Sequence, residues 1–327
     1  MINLSIDNIL KIKDTQFFNI LALETFNFQF QHNSVYQQWC NLIGVKPEMV
    51  KHINEIPFLP ISFFKSHKIV TTNFEPQIIF ESSKTTGQVS SKHFVKSIAV
   101  YEKCFSCCFE LFYNNIEDYC ILGLLPSYLE RNNSSLVYMV QNLITKSKHE
   151  QSGFYLTNFK QLYNTLQSLE ANKQPTILFG VTFALLDFAQ QFPMVLKNTI
   201  IIETGGMKGR KEELTRAEVH HILCNAFNTK QIHSEYGMTE LLSQAYSKHN
   251  GKFFCPPWMK VFVREEEDPF IVKPVGKGIL NIIDLANTYS CSFIATEDLG
   301  VIHTEDSFEV LGRIDNSEIR GCSLLVI

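Results

Sequence analysis

No stretch of this chain of 327 residues approaches the roughly 18 consecutive apolar residues that a membrane-spanning helix needs. The opening "MINLSIDNILKIKD" carries charge too early for a secretory signal, so a cytoplasmic protein is expected. Basic residues are not in excess: 29 Lys and Arg stand against 33 Asp and Glu, a net charge of -4. That balance argues against a broad nucleic-acid or anionic-membrane surface. Internal repeats, low-complexity tracts and long linkers are also lacking, and no Walker pattern GxxxxGK(S/T) occurs. Cys104, Cys107 and Cys108 have no second CxxC to complete a metal site. Cys108 falls instead on a stripe with Phe94, Ile98, Tyr101, Phe105 and Phe112, so the cluster reads as part of a buried helix face. The cysteines number nine, an odd count, and read as reduced, mostly core thiols.

What is present is an ordinary globular composition, 45% hydrophobic and 19% charged, enough for one large domain or two medium ones. The first residues, about 1–70, are rich in Phe and Gln at helical spacing and end in the Pro-bounded "IPFLPISFFKSHKI". Over 71–250, strand-like runs alternate with helical ones. "PQIIFE", "YCILGLLPS", "PTILFGV" and "NTIIIETGG" each lead toward a helix, and Thr215 and Glu218 form a capping box at the start of the last. This alternation predicts an α/β fold with a parallel-rich sheet covered by helices. From 251 to 327 the segments turn short, β-branched and turn-punctuated, predicting a mostly antiparallel β-rich part that closes a single domain. "REEED", from Arg264 to Asp268, reads as a solvated turn. His93, His220, His221, His233 and His303 lack the spacing of a metal site or a triad and are expected to be structural or exposed.

The chemistry gathers in loops. "IFESSKTTGQVSSKHFV", Ile79 to Val95, puts hydroxyls, a glycine and lysines where an apolar strand ends and a helix is expected. Backbone N–H groups and a positive helix end there would make an anion site, with Gly87 allowing close approach, donors from Ser82, Ser83, Thr85 and Thr86, and charge from Lys84. Alone, the loop reads equally well as an exposed polar turn. "SEYGMTE", Ser234 to Glu240, combines an aromatic ring that stacks on a purine, a hydroxyl that reaches a phosphate and a carboxylate that holds hydrated Mg²⁺. "ATEDLG" puts Asp298 beside a turn glycine, and such acids pair with ribose hydroxyls. "LGRID" places Arg313 and Asp315 in the closing β part, where Arg braces ribose or phosphate.

In this order the four segments resemble the adenylate-forming superfamily of acyl-CoA ligases and peptide-synthetase adenylation domains. "SSKTTG" is similar to its phosphate loop, "YGMTE" to its aromatic-Gly-x-Thr-Glu motif, "EDLG" to its ribose-binding motif and "GRID" to its hinge motif. "ETGGMKG" stands where that family has its adenine-contacting segment. "IPFLPISFFKSHKI", "LLPSYLERNNSSLVYMV", "TGGMKGR" and the terminal "EIRGCSL" resemble, more narrowly, the LuxE-type acyl-protein synthetases. Those enzymes activate a fatty acid with ATP and carry it on a cysteine near the C-terminus, and a reductase partner then takes the acyl group.

The resemblance implies ATP and Mg²⁺ as cofactors, a fatty or other carboxylic acid as substrate, and an acyl-accepting reductase or transferase protein as partner. Ser82, Ser83, Thr85, Thr86 and Gly87 would hold phosphates, and Gly205 and Gly206 would line adenine with Tyr236 packed against it. Thr239 and Glu240 would meet phosphate and Mg²⁺, Glu240 as the metal ligand. Asp298 and Arg313 would hold ribose, and Cys322 would accept the acyl group. Lys84 departs from the pattern, since the superfamily has a small residue there. It would either crowd ATP or supply a catalytic charge. Only a short tail follows Arg313, so the lid domain of typical members is expected to be absent, with the built-in cysteine answering that gap. Two alternatives stay open: a lid-less acyl-CoA ligase or acyltransferase using a free thiol, and a non-catalytic member that binds a nucleotide or a protein.

Overall fold

The computed structural model describes residues 4–83, 89–125, 133–156, 158–205 and 214–314. Its centre is a six-stranded sheet in the order Gly153–Phe154, Cys120–Leu124, Thr176–Val181, Thr199–Thr204, His233–Tyr236, Ala245–Ser247. All neighbours run parallel except the last pair. Every residue of Cys120–Leu124 and of Thr176–Val181 is buried, as continuous apolar runs in a parallel sheet covered on both faces should be. From Cys120–Leu124 the chain crosses to one side, to Gly153–Phe154, and then returns to the other side at Thr176–Val181. The connections therefore diverge at the carboxyl ends of the central strands, where α/β sheets open a crevice for ligands.

The helices cover this sheet as their patterns require. Ile98–Tyr113 buries Tyr101, Cys104, Phe105, Cys108 and Phe109, so two cysteines of the cluster are core, while Cys107 is half-buried beside them. Arg216–Phe227 starts at Thr215, whose hydroxyl accepts from Glu218 N–H while the Glu218 carboxylate accepts from Thr215 N–H, completing the capping box. Among the described residues, no helix is long and apolar enough to cross a membrane.

A second sheet comes from the C-terminal part. Met259–Arg264, Gly276–Asp284, Phe293–Ile302 and Phe308–Arg313 pair antiparallel, and Val272–Lys273 extends the edge beyond Met259–Arg264. The other edge is Leu59–Pro60, parallel to Phe293–Ile302. The Pro-bounded segment of the N-terminal part thus supplies an edge strand, the one sheet position that tolerates proline. The register divides this sheet into two faces. Phe262, Asn281 and Phe293 look toward the N-terminal helices, with Phe58 packed 6.2 Å from Phe262 and Tyr36 stacked 5.9 Å from Phe293. Leu280, Ile282 and Asp284 look toward the α/β core, where Asp284 accepts from the Leu242 and Ser243 N–H groups. Gln29, in the helix Thr15–His32, donates to the Asn287 and Thr288 carbonyls and so fastens the helical part to this sheet.

Two expectations change. The hydroxyl loop does not run into a helix. It joins the antiparallel strands Ile78–Glu81 and Lys92–Val95, and the helix begins only at Ile98, so no helix end points at the loop from its own C-terminal side. Gly300 of "EDLG" is not in a turn either. It lies within Phe293–Ile302, beside a register shift opposite Phe308–Arg313, where a Cβ would overlap the Glu309 carbonyl and the Leu280 side chain. A glycine is needed there for close backbone approach. Gly300→Ala should therefore cost about 1–3 kcal/mol of stability through overpacking against backbone. Urea denaturation reads this directly, and an unchanged midpoint would mean that the strand yields at no cost.

Candidate active site

Three segments meet at the carboxyl end of the parallel sheet. His233–Tyr236 ends with Tyr236, whose ring is buried beside Phe308 at 5.5 Å and Phe253 at 5.9 Å. Its hydroxyl donates to Asp298 Oδ2 at 2.7 Å. Asp298 pairs in register with Arg313, and the Arg313 Nε lies 3.7 Å from Asp298 Oδ1 and 3.7 Å from Glu297 Oε2. Burial pushes the Asp298 carboxyl up from its usual range, opposed by the Tyr236 hydrogen bond and the Arg313 charge. Burial and the Asp298 charge hold the Tyr236 phenol well above its ordinary value, so it stays a donor. Gly205 follows Thr204, the strand partner of Glu235, and so stands beside Tyr236. Its φ of +74° is one that glycine adopts readily, and its carbonyl accepts from the Thr182 hydroxyl at 3.0 Å.

The loop after Tyr236 is clamped from both sides. His93, in the strand that follows the hydroxyl loop, bonds through Nδ1 to the Thr239 carbonyl at 2.8 Å. Burial pulls the His93 pKa down to about 4, so the ring is neutral and must carry its proton on Nδ1 to donate there. Asn287 Nδ2 donates to the Glu240 carbonyl at 2.8 Å. The Glu240 side chain is buried, its carboxyl raised by that burial and opposed by a hydrogen bond from the Ser91 side chain. Ser91 in turn pairs with Ser82: Ser82 N–H donates to Ser91 O at 3.1 Å, and Ser91 N–H donates to Ser82 Oγ at 2.9 Å. The base of the hydroxyl loop and the Thr239–Glu240 segment are therefore neighbours. Ser83 is exposed at the last described position of that loop. Lys84, Thr85, Thr86, Gly87, Gly206 and Cys322 lie outside the described residues.

Among the described residues, no group of three His, Cys, Asp or Glu forms a metal cage. Mg²⁺ does not require one, because it keeps waters and takes one or two carboxylates together with phosphate oxygens. Glu240 fits that demand, as a buried carboxylate with no lysine or arginine within ion-pair distance among the described residues.

A feature that sequence reasoning missed lies beneath the site. Glu203 and Glu235 end adjacent buried strands, with Glu203 opposite Ser234 and Thr204 opposite Glu235. Glu203 accepts from the Thr182 hydroxyl and from Ser234 Oγ at 3.2 Å, and Glu235 accepts from the Thr204 hydroxyl. A Cβ on Gly237 would come to 2.5 Å from Glu235 Oε1, so the glycine after Tyr236 makes room for this carboxyl. Arg216 was also missed. It donates to the Val310 carbonyl at 2.9 Å, lies 4.9 Å from the Phe253 ring, and its charge acts on both Glu203 and Asp298. The signal for the carboxyl pair, an acid two residues before a glycine at the end of each of two strands, becomes readable only once the strands are known to be neighbours.

The arrangement of sheets and loops belongs to a known class. ATP-bound MatB from Rhodopseudomonas palustris superposes with a TM-score of 0.55 at 17% identity, over 72% of this chain and 47% of that one, about half its length. A 2-hydroxyisobutyryl-CoA ligase with 2-HIB-AMP and CoA superposes with a TM-score of 0.66 at 13% identity, over 94% of this chain and 70% of that one. The fold is that of the adenylate-forming enzymes.

Within that class, the profile of the acyl-protein synthetase, LuxE family matches residues 4–327, and the chain belongs to this family of ligases. It is similar to proteins named long-chain-fatty-acid–luciferin-component ligase. The one from Vibrio harveyi is 25% identical over 93% of this chain and 85% of the relative. The one from Aliivibrio fischeri is 24% identical over 93% and 86%.

The carboxyl pair generates a pH dependence. Burial, with the Glu203 charge adding to it and the Thr204 hydroxyl opposing, raises Glu235 from 4.5 to about 7. Its folded pKa lies above the unfolded one, so the native state holds more protons between those values. Stability should fall as pH rises from about 4.5 to 7, by on the order of 2–3 kcal/mol. Glu235→Gln keeps an acceptor for Thr204 and should flatten that decline. Denaturant titrations across the window test it, and identical pH slopes in the two proteins would contradict it.

Proposed function

We propose that this protein uses ATP to activate a carboxylic acid of the long-chain fatty class as an acyl-adenylate and then carries the acyl group on Cys322. The observation that bears most weight is the Tyr236–Asp298 hydrogen bond at the carboxyl end of the parallel sheet, 2.7 Å long and flanked by Arg313 and Gly205. An aromatic ring, an acid and a guanidinium at one crevice suit a base and a ribose. Family membership and the names of the relatives support the acid and its class.

In this reading Gly205 and Gly206 border the base beside Tyr236, and Asp298 with Arg313 takes the ribose hydroxyls. Ser82, Ser83, Thr85, Thr86 and Gly87 surround the phosphates with donors, and Lys84 adds the charge that the leaving pyrophosphate needs. Thr239 reaches phosphate, and Glu240 holds Mg²⁺, which neutralises phosphate charge when bound. A carboxylate oxygen of the acid attacks the α-phosphorus, and the bond to pyrophosphate breaks. The Cys322 thiolate then attacks the acyl carbonyl, and AMP departs with the electron pair of the mixed anhydride. Arg320, two residues before Cys322 in the sequence, would favour the thiolate. The thioester stays activated toward an acceptor protein, a reductase or a transferase.

Pyrophosphate release and intact mass after incubation with ATP, Mg²⁺ and dodecanoate test the scheme. Cys322→Ala should still release pyrophosphate in a first turnover but form no covalent acyl adduct. An adduct that persists in that variant, or maps to another cysteine, would remove the carrier role. An absolute need for added CoA would do the same.

A further inference from the structure

We infer that the cavity between the N-terminal helices and the outer face of the second sheet is a binding site for a long-chain carboxylate, separate from the nucleotide crevice. The cavity encloses about 470 Å³, within the ordinary range of small-molecule sites. Trp39, Ile43, Val45, Phe58 and Val272 wall it, and Phe270, 62% exposed, stands at its rim.

One cation faces this apolar space. Arg264 donates through Nη1 to the Leu280 carbonyl at 3.2 Å and to Asn281 Oδ1 at 2.6 Å, and through Nη2 to the Thr296 carbonyl at 2.6 Å. All three acceptors are neutral, and among the described residues no carboxylate lies within ion-pair distance of it. Glu297 is near enough for its charge to act on Arg264, but it lies beside Arg313. Glu55, the acid on the cavity wall, accepts from the Lys51 and His52 N–H groups at 2.7 and 2.9 Å. Asn54 and Asn281 are the remaining polar lining. Burial drags the Arg264 pKa down to about 10, as expected of a guanidinium that lacks a counter-charge. A carboxylate head supplies that charge in the bidentate geometry arginine favours, and the chain behind it covers aromatic wall.

The site is not the reacting one. Asn281 and Ala295, which line the cavity, pair in register on the face toward the N-terminal helices, opposite to Leu280, Ile282 and Asp284. A head group at Arg264 has the sheet between it and the Tyr236–Asp298 pair. Thr296 joins the two sides: its carbonyl accepts from Arg264, and its hydroxyl accepts from Asp298 N–H at 3.1 Å.

The chain has two tryptophans, and only Trp39 lines the cavity; Trp258 is buried against Ser243 on the core side. Bromine quenches tryptophan by contact, so ω-bromododecanoate added to the full chain without ATP should quench Trp39 emission saturably. Trp39→Phe should abolish that quenching. The matching cation, ω-bromododecyl-trimethylammonium, should bind at least about tenfold more weakly, as should the anion to Arg264→Gln. If Arg264→Gln does not fold, the anion–cation comparison on the unaltered chain decides. Quenching that is not saturable, that survives in Trp39→Phe, or that is equal for cation and anion would overturn the site. Each readout is independent of pyrophosphate release, so the proposed reaction can fail while this site stands.

Discussion

The Tyr236–Asp298 hydrogen bond is the point at which two sheets, built from different parts of the chain, become one crevice. Its partners are 62 residues apart, one ending a parallel strand and the other within an antiparallel one. It forms only because Phe253 and Phe308 fix the Tyr236 ring and because the second sheet turns Asp298 toward the core. A hydrogen bond to a charged acceptor contributes on the order of 1.5–3 kcal/mol. The same carboxylate orders Arg313 through their shared register. One acid therefore joins the sheets and sets the charge at the crevice floor.

Rigidity around that floor comes from side chains that bond to backbone groups of the loop. His93 and Asn287 grip the carbonyls of Thr239 and Glu240, and Asp284 holds the N–H groups of Leu242 and Ser243. The loop is thus positioned by the β-hairpin on one side and the second sheet on the other. The site carries three buried acids, Glu203, Glu235 and Glu240, and the half-buried Asp298, against few cations. Acids raised by burial gain most from an added cation or donor, which suits a crevice that receives a metal-bound phosphate and a ribose.

Much of the architecture is legible in the sequence where burial is one-sided in its demands. "PTILFGV" reads as a strand buried on both faces because no polar residue interrupts it, and Thr215 with Glu218 announces its helix by local hydrogen bonding alone. The reading failed where one residue satisfies two periods. Phe94 fits the helical stripe of Ile98, Tyr101 and Phe105, yet it also alternates with His93 and Val95 in a strand, and tertiary pairing with Ile79 decides. Gly300 carries the local signature of a turn, but its reason lies across the sheet, in the Glu309 carbonyl. The meeting of Tyr236, Asp298 and Arg313 was legible only as an ordered set of motifs. The Glu203–Glu235 pair and the Arg264 cavity were not legible, because each is created by register between segments that carry no mark of each other.

The central claim is that Asp298 belongs to a nucleotide site and does not serve only as a tie between sheets. ATP affinity measured by titration calorimetry on Asp298→Ala, checked for retained fold by circular dichroism, tests it most directly. The expected result is a loss on the order of 2–3 kcal/mol in binding free energy, from the ribose hydrogen bonds a carboxylate accepts. Unchanged ATP affinity in a folded Asp298→Ala protein would contradict the account.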